Sequence, residues 1–155
     1  MIRTKVDRER AIDEPYLIWN GFCDVVALSE YEDLSLVQRI AHLAFWYYNE
    51  VLNGGHFQYF ENRRLRHIDE TLDALRALGA DRQHDILRQA VDICIQTRQL
   101  DTPVQTVEEY CGRALEGDYD ALDKAFYAVY DDGADLNELL EPYLDAHVDD
   151  FIEFV

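Results

Sequence analysis

The sequence predicts an all-α fold, a single compact bundle of about seven to eight short helices. Apolar residues recur three and four positions apart along most of the 155-residue chain, which is the helical period. No segment shows the strict apolar–polar alternation that is typical of a strand. Hydrophobic residues make up 48% of the chain, ample for a core, and only three Pro and seven Gly interrupt it.

The first half of the chain predicts a helix over about residues 13–28, with Pro15 in its first turn. Residues 1–12 are expected to form a flexible N-terminal segment. A second helix starts after Ser35 and ends at Asn53-Gly54-Gly55, because glycine readily adopts the left-handed backbone that ends a helix. Its apolar positions follow the helical spacing: Leu36, Ile40, Leu43, Ala44, Tyr47 and Val51. A short helical turn then carries three aromatic residues: Phe57, Tyr59 and Phe60.

Further helices are predicted over about residues 67–78, which Gly79 ends, and about residues 81–99. Thr106-Val107-Glu108-Glu109 predicts a capping box that opens a helix reaching Leu115. A helix over residues 119–129 follows.

The C-terminal region predicts a loop at Asp131-Asp132-Gly133 and then a last helix with Pro142 in its first turn. The apolar side of that helix contains Tyr143, Leu144, His147, Phe151 and Phe154. Because the spacing does not fit a calcium-binding loop, residues 131–135 are interpreted as a cap for the next helix.

Composition predicts a cytoplasmic protein with one domain over residues 1–155. The N-terminal residues are charged and lack the apolar stretch of a secretory signal. The longest apolar run, residues 43–48, is too short to span a bilayer. Cys23, Cys94 and Cys111 are odd in number and widely spaced, as expected of reduced thiols.

Charge is distributed unevenly. The net charge is −18, and residues 101–155 hold 16 acidic but only two basic side chains, Arg113 and Lys124. Such a charge repels nucleic acid and anionic membranes and attracts cationic partners. We therefore expect neither direct nucleic-acid binding nor membrane binding. Two alternatives are solubility and adaptation to high salt, although salt adaptation should spread the acids evenly.

Motifs for chemistry are scarce. Ser29 and Ser35 are the only serines, and glycine-rich phosphate loops, CxxC and HExxH are lacking. His67 and Glu70 share a helical face, but a metal needs three or four ligands. The sequence thus predicts no catalytic residue, no metal and no cofactor. The alternative is an enzyme of unrecognised type, with a polar site around residues 49–56 formed by His42, Trp46, Asn49, Glu50, Asn53 and His56.

Trp46 lies outside the apolar stripe of its helix. It is expected either to lie under a neighbouring helix or to anchor an interface.

The last third of the chain predicts an acidic partner-binding surface. Asp145, Asp149 and Glu153 are four residues apart, so one helix would carry them as a stripe, with carboxylates about 5–6 Å apart. If the helix continues upstream of Pro142, Glu138 and Glu141 extend the stripe. Such rows resemble the phosphates of a nucleic acid. The residues predicted to supply the charge are Asp118, Asp120, Asp123, Asp131, Asp132, Asp135, Glu138, Glu141, Asp145, Asp149 and Glu153.

A basic cluster argues against a purely anionic surface. It consists of Arg63, Arg64 and Arg66. Its members are expected to pair internally with acids such as Glu61, Asp69 and Glu70.

Residues 48–62 form a motif that resembles the signature of a bacterial all-helical domain family of largely unknown function. In that signature a helix ends in Glu-Val-x-Asn-Gly-Gly, and aromatics, Gln and Asn follow. The matching positions are Asn49, Glu50, Asn53, Gly54, Gly55, Gln58, Tyr59 and Asn62. Residues 75–80, 122–127 and 139–144 resemble the family less specifically, and the likeness extends over about residues 19–154.

The family includes an acidic DNA-mimic protein, so the resemblance implies a helical fold, dimerisation and binding to a DNA-binding protein. From the residues alone, Asn53, Gln58 and Asn62 are expected to bond helix-end backbone groups, with a ligand or partner site as the alternative. The leading hypothesis is therefore a homodimeric acidic interaction module that occupies the basic surface of a DNA-binding protein. An immunity- or antitoxin-like inhibitor of a cationic nuclease is the runner-up.

Overall fold

A computed structural model describes residues 2–155 of the chain. These residues form nine α-helices and two short strands. The predicted all-α class is confirmed, although the helices number one more than expected and one of them is long. No helix within residues 2–155 has the length and apolarity that crossing a membrane requires. The elements are β1 (Thr4–Val6), α1 (Arg8–Asp13), α2 (Tyr16–Leu28), α3 (Leu36–Arg63), α4 (Ile68–Ala77), α5 (Asp81–Gln96), α6 (Val107–Ala114), α7 (Asp120–Asp131), α8 (Leu136–Ala146), α9 (Val148–Phe151) and β2 (Ile152–Phe154).

Helix α3 is the central element, packed by α2, α4, α7 and α8. It starts where the sequence predicted. The Ser35 hydroxyl accepts the Gln38 N–H at 3.3 Å, and the Gln38 side chain accepts the Ser35 N–H at 3.0 Å. This capping box satisfies two N–H groups that the first turn leaves free.

The Asn-Gly-Gly turn interrupts α3 rather than ending it. Gly54 (φ −157°, ψ 25°) and Gly55 (φ 71°, ψ −176°) leave the helical conformation, and the chain then continues helically to Arg63. The break was predicted correctly. The segment after it is longer than the predicted single turn.

The two strands contradict the prediction that the chain has none. β1 pairs with β2 in parallel, Thr4 opposite Ile152 and Val6 opposite Phe154. Each strand has only three residues, too few for an alternating pattern to appear in the sequence. Residues 4–12, expected to be part of a flexible segment, contain β1 and most of α1, and α2 starts after Pro15 rather than at residue 13.

Helices α4 to α7 lie close to their predicted positions, and Gly79 follows α4 with φ 75°. Helix α5 ends at Gln96, and a separate 3₁₀ turn follows at Gln99–Asp101. Thr106 caps α6 by accepting the Glu109 N–H at 3.1 Å. The Glu109 carboxylate accepts the N–H of Gln105 rather than of Thr106, so only half of the predicted capping box forms.

The predicted last helix is wrong in its bounds. Pro142 lies inside α8, not in its first turn. Proline removes the N–H that would bond the Glu138 carbonyl, and Glu138 is exposed, so water can satisfy that carbonyl. Helix α8 ends at Ala146, and α9 and β2 follow as separate elements.

Aromatic side chains fill the core. Six of them are almost fully buried, in α2, α3, α7 and α9: Phe22, Tyr47, Tyr48, Phe60, Phe126 and Phe151. Tyr47, Tyr48 and Phe126 meet edge to face with ring centroids 5.1–6.1 Å apart. Such pairs add stability beyond the area they bury. They hold α7 against α3.

Candidate functional site

Helices α7 and α8 run one after the other along α3, antiparallel to it. Three tyrosine hydroxyls fix this course by donating to backbone carbonyls. The pairs are Tyr127 to Val51 (3.1 Å), Tyr48 to Ala134 (3.2 Å) and Tyr143 to Val37 (3.0 Å). As the chain advances from α7 to α8, its partners move back along α3. The two helices therefore carry their exposed acids one after the other beside the central helix, and we call these acids the acidic line.

Helix α8 carries an acidic stripe. Glu138, Glu141 and Asp145 are exposed, and their i, i+3, i+7 spacing places them on one face. Leu140 and Leu144 are buried on the opposite side. We call these three acids the α8 stripe.

The predicted single-helix stripe of Asp145, Asp149 and Glu153 is wrong. The helix stops at Ala146 because His147 leaves the helical conformation (φ −132°, ψ 24°). The three acids lie in α8, α9 and β2 respectively. Glu153 also approaches Lys5 to 3.9 Å.

Among the eleven acids of the predicted surface, four have partners inside the protein. Asp135 caps α8 by accepting the Glu138 N–H at 2.9 Å, which confirms the capping role of the 131–135 loop. Asp132 lies 3.6 Å from Arg82, Glu153 pairs with Lys5, and Asp123 is bound to His56. The other seven are exposed and make no ion pair within residues 2–155: Asp118, Asp120, Asp131, Glu138, Glu141, Asp145 and Asp149.

The two basic residues of the last third do little to neutralise these acids. Arg113 turns inward, where it donates to the carbonyls of Gln99 (2.5 Å) and Thr102 (2.9 Å) and lies 4.0 Å from Glu61. Lys124 is exposed and makes no ion pair within the described chain. The acidic line along α7 and α8 is thus left largely uncompensated.

Asp123 has a structural position rather than a surface one. Its Oδ1 accepts the His56 backbone N–H at 3.0 Å and faces Nδ1 of His56 at 2.5 Å. Nε2 of His56 lies 3.0 Å from the Tyr47 hydroxyl. Because the carboxylate only accepts, Nδ1 carries a proton, and the Tyr47 hydroxyl pairs with Nε2 on the other side of the ring. Burial raises the pKa of the Tyr47 phenol well above its usual value, which keeps that donor protonated.

The Asn-Gly-Gly motif organises a second polar cluster around Glu50, which is 9% exposed. The carboxylate accepts from Gln58 Nε2 (2.9 Å), Asn62 Nδ2 (2.8 Å) and Arg63 Nε (3.3 Å). Asn53 Nδ2 donates in turn to Gln58 Oε1 at 3.1 Å. The motif side chains thus bond one another and Glu50, not helix-end backbone groups as predicted. Three donors compensate the buried charge of Glu50.

Two further positions of the motif, Tyr59 and Gly55, are structural. Tyr59 is buried, which raises the pKa of its phenol to about 12. Gly55 has a backbone conformation that side-chain-bearing residues avoid, and a Cβ there would collide with the Asp123 carboxylate.

The basic cluster pairs differently from the prediction. Arg63 bonds Glu50, and its guanidinium lies 3.8 Å from the centre of the Trp46 ring. Arg64 donates to the Leu100 carbonyl at 2.8 Å. Arg66 is exposed and makes no ion pair within residues 2–155. Trp46 is half-buried, and Arg63 of its own helix covers one face of its ring.

Two cavities meet at Trp46 and Asn62. One, of about 410 Å³, is lined by Trp46, Asn49, Glu50, Asn53, Gln58 and Asn62. We call it the amide pocket. The other, of about 300 Å³, has His42, Arg66 and His67 among its walls. The residues of the alternative enzyme site are thus divided between two cavities, and His56 lines neither of them.

The histidines do not converge on a metal site, since residues 2–155 contain no group of three or more His, Cys, Asp or Glu placed to hold one. His42 is buried and its Nδ1 lies 2.8 Å from the Val26 carbonyl. Burial lowers the pKa of His42, and nearby Arg63 and His67 lower it further. His67 stacks on Tyr31 with ring centroids 3.7 Å apart.

Sequence reasoning missed the internal roles of Asp123, Arg63 and Gln38. His56 and Asp123 are 67 residues apart, so no local spacing links them. Glu50 and Arg63 are 13 residues apart, and they meet because the chain turns at Gly54 and Gly55, so helical spacing does not link them either.

Fold and surface together define an acidic all-helical protein with one uncompensated negative line and a polar motif pocket. The DMP19-like protein family model matches residues 32–147, so the chain belongs to the DMP19-like family. This is the bacterial all-helical family with a DNA mimic that the Asn-Gly-Gly motif suggested. No curated protein and no solved structure matches the chain.

Proposed function

We propose that this protein is an acidic interaction module that occupies the basic surface of a DNA-binding protein, as a mimic of DNA. The observation that carries the proposal is the set of seven exposed acids that make no ion pair within the described part of the chain, six of them between Asp118, just before α7, and Asp145 in α8. Membership of the DMP19-like family supports it. A cytoplasmic homodimer is part of the same proposal.

The physical basis is competition for cations. Lys and Arg side chains that contact DNA phosphates hold a protein on the duplex without reading its sequence. Carboxylates on one helical face lie about 5–6 Å apart and offer the same cations an alternative set of anions. Binding through such contacts weakens as salt rises.

The test uses the α8 stripe. A partner is isolated from the native cytosol and its affinity is measured by calorimetry from 0.05 to 0.5 M NaCl. The variant E138Q/E141Q/D145N should bind about tenfold more weakly at low salt, since surface charge pairs contribute about 0.2–1 kcal/mol each. The control D24N/D73N/D92N removes the same charge from exposed positions on α2, α4 and α5 and should bind almost normally.

Competition distinguishes mimicry from other acidic contacts. Duplex DNA should release the partner from this protein. A complex that binds DNA and this protein together, or a stripe variant with unchanged affinity, would overturn the proposal. If the partner is a cationic nuclease, the surface is the same and the immunity-like alternative is the correct one.

A further inference from the structure

The amide pocket contains side chains whose orientations follow from hydrogen-bond chemistry alone. Asn49 Nδ2 donates to the Phe45 carbonyl at 2.7 Å, and Asn62 Nδ2 donates to the Glu50 carboxylate. Both partners only accept hydrogen bonds, so in each case the NH₂ end must face the partner. The carbonyl oxygens of Asn49 and Asn62 must therefore point away from those bonds.

The orientation of the Asn53 side-chain amide follows from the same reasoning. Gln58 Nε2 donates to Glu50, so its Oε1 is an acceptor toward Asn53. Asn53 must then donate its NH₂ group to Gln58, which it does at 3.1 Å. The side-chain carbonyl oxygen of Asn53 therefore accepts no hydrogen bond within residues 2–155.

Three amide oxygens are thus available in one place. Within residues 2–155, no group donates to Oδ1 of Asn49, Asn53 or Asn62, whereas each amide nitrogen already has an acceptor. All three residues line the amide pocket together with Glu50 and Trp46. Glu50 is ion-paired with Arg63, but the protein as a whole carries a net charge of −18. The pocket is therefore suited to a cationic group that has many donors.

We propose that the amide pocket receives the guanidinium group of an arginine side chain. Guanidinium is planar and offers five N–H donors, whereas ammonium is compact, more strongly hydrated and offers three. In the proposed function, on which this inference rests, the arginine belongs to the basic partner and is one that would otherwise contact a phosphate. The motif of the family then fixes one arginine in a defined place, and the acidic line along α7 and α8 supplies the general attraction.

The test needs no partner. N-acetyl-arginine amide is titrated into the ¹⁵N-labelled protein, and N-acetyl-citrulline amide serves as a neutral probe of the same shape. The arginine probe should shift the indole N–H signal of Trp46 and the side-chain amide signals of Asn49, Asn53 and Asn62. Trp19, in α2 and outside the pocket, should keep its signal. Absence of a shift at Trp46, or equal affinity for citrulline, would overturn the inference.

Substitutions at the exposed Asn53 test whether the amide pocket binds a positively charged group. Asn53→Ala should bind the arginine probe about 2- to 10-fold more weakly because one hydrogen bond is lost. Asn53→Asp also loses the donor to Gln58 but adds a negative charge, so it should bind the probe more tightly than Asn53→Ala does. Asn20→Asp adds the same charge on α2 and should change the affinity little. Weaker binding by Asn53→Asp than by Asn53→Ala would contradict a cation site.

The measurements distinguish a failure of the acidic-surface proposal from a failure of the arginine-site proposal. The α8 stripe variant should keep its affinity for the arginine probe. Loss of partner binding with intact probe binding supports both proposals. If the stripe variant binds the partner with full affinity, the acidic-surface proposal alone is overturned. If the arginine probe does not bind the amide pocket, the arginine-site proposal alone is overturned.

Discussion

At the residue scale, Gly55 links the family motif to the helix packed against it. Its backbone (φ 71°, ψ −176°) lies in a region that is essentially restricted to glycine. The turn presents the His56 N–H to Asp123, which also faces the imidazole of His56. One glycine therefore sets both the break in α3 and the attachment of α7.

Gly55→Ala should destabilise the protein strongly. The new Cβ would collide with the Asp123 carboxylate and occupy a disfavoured backbone region. We expect a loss of about 1–3 kcal/mol from backbone strain and about 1–3 kcal/mol more from the displaced hydrogen bonds, measured by urea unfolding.

Gly79→Ala is the matched control, because Gly79 also has a positive φ (75°) but no atom within 4 Å of a Cβ. Gly79→Ala should therefore lose only the free energy of unfolding that the unfavourable backbone conformation costs. Equal losses in the two variants would show that contact with Asp123 contributes nothing.

Residue chemistry also explains which local features could be predicted. The break at Gly54-Gly55 and the start of α3 after Ser35 depend on neighbouring residues, and both positions were predicted correctly. The pairing of Glu50 with Arg63 and of His56 with Asp123 depends on the course of α3 and on α7, which no local pattern contains. The motif was therefore recognisable in the sequence, but its bonds were not.

At the element scale, Gln38 joins the N-terminal and C-terminal segments to α3. Its buried Nε2 donates to the Asp150 carbonyl at 2.7 Å and to the Ile2 carbonyl. Its Oε1 accepts the Ser35 N–H. A residue that resembles an ordinary capping-box glutamine in the sequence thus also holds the small β1–β2 sheet in place.

Gln38→Ala should destabilise the protein by about 1–3 kcal/mol, because the carbonyls of Ile2 and Asp150 lose a buried donor. Hydrogen exchange should locate the effect. The amides of Arg8 and Val155, which bond across the β1–β2 region, should exchange faster. Gln89→Ala, at an exposed position of α5, should stay within about 0.5 kcal/mol of the wild type. Unchanged exchange at Arg8 and Val155 would mean that Gln38 acts only as a cap.

Elements that pair with distant partners were the ones that sequence reasoning missed. The apolar spacing of Leu144, Phe151 and Phe154 fits one helix, so a single last helix was predicted. In the structure β2 pairs with β1, about 150 residues earlier in the chain. Helical periodicity reports only on neighbours within a few turns, so it could not reveal this pairing.

At the scale of the whole molecule, the net charge of −18 should make stability depend on salt. Self-repulsion destabilises a compact highly charged protein. The Debye length falls from about 10 Å at 0.1 M salt to about 3 Å at 1 M, so salt screens that repulsion. If the charge acts chiefly through the last third of the chain, removing acids there should relieve more repulsion than removing acids elsewhere.

The variant E141Q/D145N tests this, with Glu138 kept because the α8 dipole favours an acid in its first turn. The variant removes two like-charge pairs, Glu138 with Glu141 and Glu141 with Asp145, and an acid at the unfavourable end of α8. It should be about 0.5–1.5 kcal/mol more stable than wild type at 0.05 M NaCl, by urea unfolding. The gain should largely vanish at 1 M NaCl. D24N/D92N removes exposed acids of α2 and α5 that have no other acid three or four residues away, and it should gain less. Equal gains in stability for the two variants would mean that the repulsion is spread evenly over the protein. The α8 stripe would then not be a distinct negative surface.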